Sequence, residues 1–194
     1  MDEPLRKRLL GTAKLARDNA SELLREAKLL LSDTAFARAG VLAIFSEEES
    51  SKSFILSVSA RDGRWDSVLY EGLRDHGSKQ AISQAMIQYA EIIVRSVVEQ
   101  AKTAPLAAIA SVASLLNDKQ KITELGLKAM KQMQDGKQRD RLRQRFQYVA
   151  VDKSGFAPSR PETTKREDAE VCIAAAEMAL KIADIGIDPI KNSL

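Results

Sequence analysis

Apolar and polar positions along the chain recur mostly at helical spacing. A first long helix is expected from about Leu5 to Leu31, where Leu23, Ala27 and Leu30 share a stripe with Lys and Arg between them. Gly11 is the one place where it could break. Ser32 and Asp33 end it, and Asp33 is placed to cap a second helix running from about Thr34 to Ala60. Around Phe45, at about 100° per residue, the residues Arg38, Leu42, Glu49, Lys52 and Leu56 fall on one stripe, with Glu48 at its edge. Phe36, Ala43 and Phe54 lie opposite, with Gly40 beside them, so this helix has two apolar faces and belongs between neighbours. Gly40 costs helix propensity, about 1 kcal/mol against alanine, and would let another helix approach closely.

Residues Arg61 to Gly77 form a glycine-rich connector with a short helix around Trp65 to Gly72. A third long helix is expected from about Ser78 to Thr103, carrying Ile82, Ala85, Met86, Tyr89, Ile93 and Val97 on one stripe. Pro105 opens a fourth, whose periodicity runs on to Met133. Phe146 to Val151 is the one segment of β character, followed by an Asp152–Gly155 turn and by Pro158 and Pro161, so a small hairpin or extended arm is expected there. A last helix runs from about Thr163 to Ile185, capped by Thr163 or Thr164, with a loosely held tail after Ile187.

Composition sharpens this picture. Nine glycines and five prolines in 194 residues leave little to break helices, and the length suits a single domain, residues 1–194, with one core. Thirty basic and 27 acidic side chains give a net charge of +3, too small for bulk electrostatics to hold nucleic acid. Contact with RNA would have to come from local clustering. The concentrated positive run is Lys128, Lys131, Lys137, Arg139, Arg141, Arg143 and Arg145, next to Phe146 and Tyr148. Arg139, Arg141, Arg143 and Arg145 are candidate phosphate contacts with the aromatics stacking on bases, although such runs are more commonly solvated helix faces.

Cys172, the sole cysteine, reads as a small buried hydrophobe, and nothing indicates secretion or a membrane span. A soluble, cytoplasmic protein is expected. There is no Walker or Rossmann glycine pattern, and one His with one Cys cannot make the usual zinc site. No cofactor and no metal are therefore expected. A carboxylate site on Glu48 and Glu49 would lack a visible third ligand.

The chemistry concentrates in Glu48, Glu49, Lys52, His76 and Lys79. Glu48 and Lys52 have the spacing of an ordinary helical ion pair. Charges that share a stripe with Leu42, Phe45 and Leu56 need partners, which Arg38, His76 or Lys79 could supply. A buried structural ionic cluster and a functional site both fit. Histidine is the side chain suited to proton transfer near neutral pH, and His76 equally suits a surface or structural role.

Residues 19 to 80 resemble the AbiV family of abortive-infection proteins in the HEPN superfamily. The likeness lies in Asn19-Ala20 with Leu24 and Ala27, in Ala39 to Phe45 running into Glu48-Glu49-Ser50-Ser51-Lys52, and in His76-Gly77-Ser78-Lys79. Tyr148-Val149 and Ala169 to Leu180 are similar to the family's late segments, and Ser51 stands where the family often has glycine. The resemblance implies an all-α, HEPN-like antiparallel bundle of four to five helices, commonly a homodimer. It also implies phage defence through interference with RNA or translation, triggered or countered by a phage protein. HEPN ribonucleases use an arginine, four to six residues, then a histidine, and cleave RNA without metal. Here positions 69 to 71 hold Leu69, Tyr70 and Glu71, and Arg74 is too close to His76. Two readings stay open: an RNA-directed toxin with His76, Lys79, Glu48, Glu49 and Lys52 at its site, and a non-enzymatic protein that sequesters a translation component or senses a phage protein.

Overall fold

The computed structural model describes residues 1–80, 82–83, 133–149, 153–155, 157 and 160–191. Helix α1 spans Glu3–Ser32, about 45 Å of helix at 1.5 Å per residue. Asp2 caps it, its Oδ1 accepting from the Leu5 N–H at 2.8 Å. It runs without interruption through Gly11, because a glycine on an exposed helix face costs propensity without forcing a break.

Helix α2, Phe36–Asp62, follows after a three-residue turn. Asp33 closes α1 instead of capping α2, whose N-cap is Ala35 with no side-chain bond. The reason is local: Thr34 takes a φ of 61°, and that left-handed step turns the chain before Asp33 can reach the new helix. Leu24 and Ala27, late in α1, pack with Ala37, Val41 and Ile44, early in α2. Leu9 and Ala13, early in α1, pack with Leu56 and Ala60. The two helices are therefore antiparallel. Between the two contacts the Ser46 hydroxyl donates to the Ala20 carbonyl oxygen at 2.7 Å. Gly63, at φ 69°, ends α2 in the left-handed conformation that glycine adopts at little cost.

After α2 come helix α3, Ser67–Arg74, capped by Asp66, and a helical stretch at residues 76–80 and 82–83. Each begins about two residues from its expected start. Trp65 and Leu73 from this connector lie against the Leu9–Ala13–Leu56–Ala60 cluster. The fourth helix expected from Pro105, and most of the third, lie outside the described residues.

Helix α4 spans Met133–Gln147 and α5 spans Arg166–Lys191, with a 3-10 turn at Pro161–Thr163 between them. Lys28 pairs with Glu177 at 2.6 Å and Arg17 with Asp184 at 2.7 Å, so α5 runs antiparallel to α1. Cys172, Ile173 and Ala176 of α5 enter the core beside α2. Cys172 is indeed buried.

The β expectation at Phe146 is overturned. Phe146 and Gln147 finish α4, and no strand occurs among the described residues. The Phe146 ring is buried against Gly40, where a Cβ would lie 2.5 and 2.8 Å from ring carbons. Packing against α2 outweighs the local β propensity of an aromatic–valine run. The close approach expected at Gly40 is thus made by α4. The cap expected at Thr163 or Thr164 is also absent: Thr163 lies in the 3-10 turn, its hydroxyl donating to the Arg160 carbonyl oxygen, and α5 begins only at Arg166.

Candidate functional site

α2 is buried along nearly its whole length. Where its first half is closed by alanine, glycine, valine and isoleucine, its second half buries Ser46, Glu47, Glu48, Ser50, Ser51, Ser53, Ser57 and Ser59. The Ser51 and Ser57 hydroxyls donate to the carbonyls of Glu47 and Ser53, one turn back on the same helix. Carboxylates taken from water in this way need partners. The helical residues that begin at position 76 supply them.

Asp75 starts that stretch, its Oδ2 accepting from the Ser78 N–H at 2.6 Å. The Ser78 backbone and hydroxyl bonds, helped by the nearby His76 and Lys79 charges, hold the Asp75 carboxyl below the usual carboxylate range, against a smaller opposing effect of burial. One helical turn then presents three nitrogen-bearing side chains toward α2. His76 Nδ1 lies 2.7 Å from Glu48 Oε2, Lys79 Nζ lies 3.3 Å from the same oxygen, and Gln80 Nε2 donates to Glu48 Oε1 at 2.8 Å. Farther along, the Ser83 hydroxyl donates to Glu47 Oε1 at 2.7 Å. The Glu48 side chain is 3% exposed and that of Lys79 9%, whereas the His76 ring is 51% exposed. The imidazole is the part of the cluster open to solvent.

The five candidates thus divide. Glu48, His76 and Lys79 come together. Glu49 and Lys52, partly exposed, pair with each other one turn apart on α2. Lys52 does not bond Glu48, as the four-residue spacing suggested, because Glu48 is turned inward to Lys79. Arg38 is exposed on the surface of α2 and has no bond to the cluster. Glu47 and Gln80, both fully buried, were missed. The signal for Glu47 was available: it follows Gly40 by seven residues and Ala43 by four, on the tight face of α2. Gln80 carried no signal of its own in the sequence.

Arg74, the arginine nearest to His76 in sequence, lies with its guanidinium 5.5 Å from the Tyr70 ring centroid and pairs with Glu71 at 3.9 Å. It faces its own helix. Among the described residues no three His, Cys, Asp or Glu side chains converge as a metal site.

The basic run is only partly available as a surface. Arg143 bonds Asp140 at 2.6 Å, and Arg145 bonds Asp168 at 2.9 Å with its guanidinium 5.7 Å from the Phe146 centroid. Arg141 is exposed and Arg139 lies on α4, while Lys128 and Lys131 fall outside the described residues. Phe146, buried in the core, cannot stack on a base, whereas Tyr148 is exposed.

A family model described as AbiV, of the HEPN type, matches residues 8–181. The chain belongs to the AbiV family. That membership implies abortive-infection phage defence, and the packed helices agree with a HEPN bundle. Glu48 and the His76–Lys79 segment, both within the stretch that resembles AbiV, meet across two helices. No curated protein and no solved structure matches the chain. No helix among the described residues is long and apolar enough to cross a membrane.

Proposed function

We propose that this AbiV protein blocks phage multiplication by acting on RNA or on the translation machinery, with His76 as the residue that meets the target. The observation that carries this reading is an imidazole held at 2.7 Å by a buried carboxylate while half of the ring stays exposed. A proton-transfer or recognition group needs that combination of a fixed orientation and an open face. The protein works as a homodimer in the cytoplasm, and a phage protein triggers or counters it.

A non-enzymatic reading is favoured by one specific observation. Lys79, the cation beside His76, is buried against Glu48 and is not free to balance charge on a phosphate. Sequestration of a translation component through the His76 surface would need no such charge.

Cell-free translation with RNA integrity followed in the same reaction separates the two. Cleavage predicts inhibition with fragmented RNA, and both lost in His76→Ala while the helical circular dichroism is kept. Sequestration predicts inhibition with RNA intact. Full inhibition by a folded His76→Ala protein removes His76 from either role.

A further inference from the structure

Glu48 is itself held in place from two directions. As a carboxylate it only accepts hydrogen bonds, so the ring nitrogen 2.7 Å from its Oε2 must carry the hydrogen. The Lys79 ammonium faces that same oxygen at 3.3 Å, and Gln80 occupies the other at 2.8 Å. The orientation of the Gln80 amide follows from this contact, since the flipped amide would set oxygen against oxygen. The consequence is visible at the far end of the same amide: Gln80 Oε1 is buried and, among the described residues, has no hydrogen-bond partner. Leaving a buried carbonyl unsatisfied is costly, so the N–H bond to Glu48 is the contact that this glutamine's placement serves. Asp75, a second carboxylate near the ring, is engaged by the Ser78 N–H at 2.6 Å.

We infer that Gln80 and Glu48 are positioning residues that fix the neutral His76 ring in its Nδ1–H tautomer, so that Nε2 presents a lone pair outward to a hydrogen-bond donor on the target. This rests on the reading of His76 as the residue that meets the target, and it fixes the sense of that contact. Free histidine prefers the opposite tautomer, with the hydrogen on Nε2. The target must then offer a hydroxyl or an N–H at this point. A bare acceptor such as a carbonyl or phosphate oxygen is refused unless the ring first gains a proton.

His76 is the sole histidine in the sequence, so one ring is read without assignment. Full-length, tag-free, 15N-labelled protein gives the tautomer directly from two-bond proton–nitrogen correlations, recorded at a pH where the ring is neutral. The expected result is a protonated Nδ1 and an unprotonated Nε2. A ring that is mainly Nε2–H overturns the inference. In Gln80→Met, with helical circular dichroism unchanged, the Nε2–H fraction is expected to rise several-fold, and an unchanged ratio removes Gln80 from the role. Should that variant fail to fold, Gln80→Asn, whose amide is too short to reach Glu48, reads the same ratio. The spectrum needs no activity. An Nδ1–H ring in a protein that leaves translation untouched keeps the tautomer and sinks the proposed function, and an Nε2–H ring in an inhibitory protein does the reverse.

Discussion

The two halves of α2 are buried almost equally and by opposite means. From Ala37 to Ile44 the helix is closed by small apolar side chains, and Gly40 admits the Phe146 ring. From Ser46 to Ser59 it is closed largely by hydroxyls and two carboxylates, and the carboxylates reach donors on the helical stretch that begins at position 76. Apolar contact is non-directional and tolerates small shifts. The polar half depends on each named partner being present, because a stranded buried charge costs far more than a lost contact. One helix therefore joins a robust seam to an exacting one, and the residue exposed to the outside sits on the exacting one.

The contrast is broken most severely at Glu48. Glu48→Ala strands the buried Lys79 and frees His76 and Gln80, and is expected to lose about 3–5 kcal/mol in urea unfolding. A loss below about 1 kcal/mol, the worth of an exposed pair, would mean that the second half of α2 is not held by these bonds. Gly40→Ala tests the apolar half. Its Cβ would press on the Phe146 ring, for an expected loss of about 1–3 kcal/mol. In a double-mutant cycle with Phe146→Leu the cost of the new Cβ should fall, since the two positions share one space.

Asp75→Ala removes the cap of the helix that carries the donors, at about 1 kcal/mol near neutral pH. The Asp75 pKa is lowered in the folded protein, so its contribution is fully present above the unfolded carboxylate value of about 3.9 and is lost as pH falls through the lower folded value. The gap between wild type and variant should therefore close in acid, and urea midpoints across that range check it. The smallest effect belongs to Glu49→Ala, next in sequence to Glu48, at about 0.5 kcal/mol. A thermal shift as large as that of Glu48→Ala would erase the distinction between the two carboxylates.

How much of this was legible in the sequence follows the same division. The extents of α1 and α2, the close approach at Gly40 and the need for charge partners on α2 all follow from spacing along a single helix. Which partner each charge takes does not. A helical wheel gives an angle but no neighbour, so Lys52 looked as suitable for Glu48 as Lys79 did, and Glu47 went unnoticed on the face assigned to tight packing. Phe146 looked like a strand residue because the socket that buries it lies more than a hundred residues earlier in the chain. Gln80 had no pattern to mark it at all.

The chain has one tryptophan, and Trp65 rests on the Leu9–Ala13–Leu56–Ala60 cluster, in the connector that leads from α2 to His76. Its fluorescence is a built-in optical report on whether that end of the α1–α2 pair has come apart. Emission from Trp65 and nitrogen signals from His76, each a single unduplicated probe, can be followed in the same sample. Together they tell an opening of the scaffold from an event confined to the imidazole, with no label added to the protein.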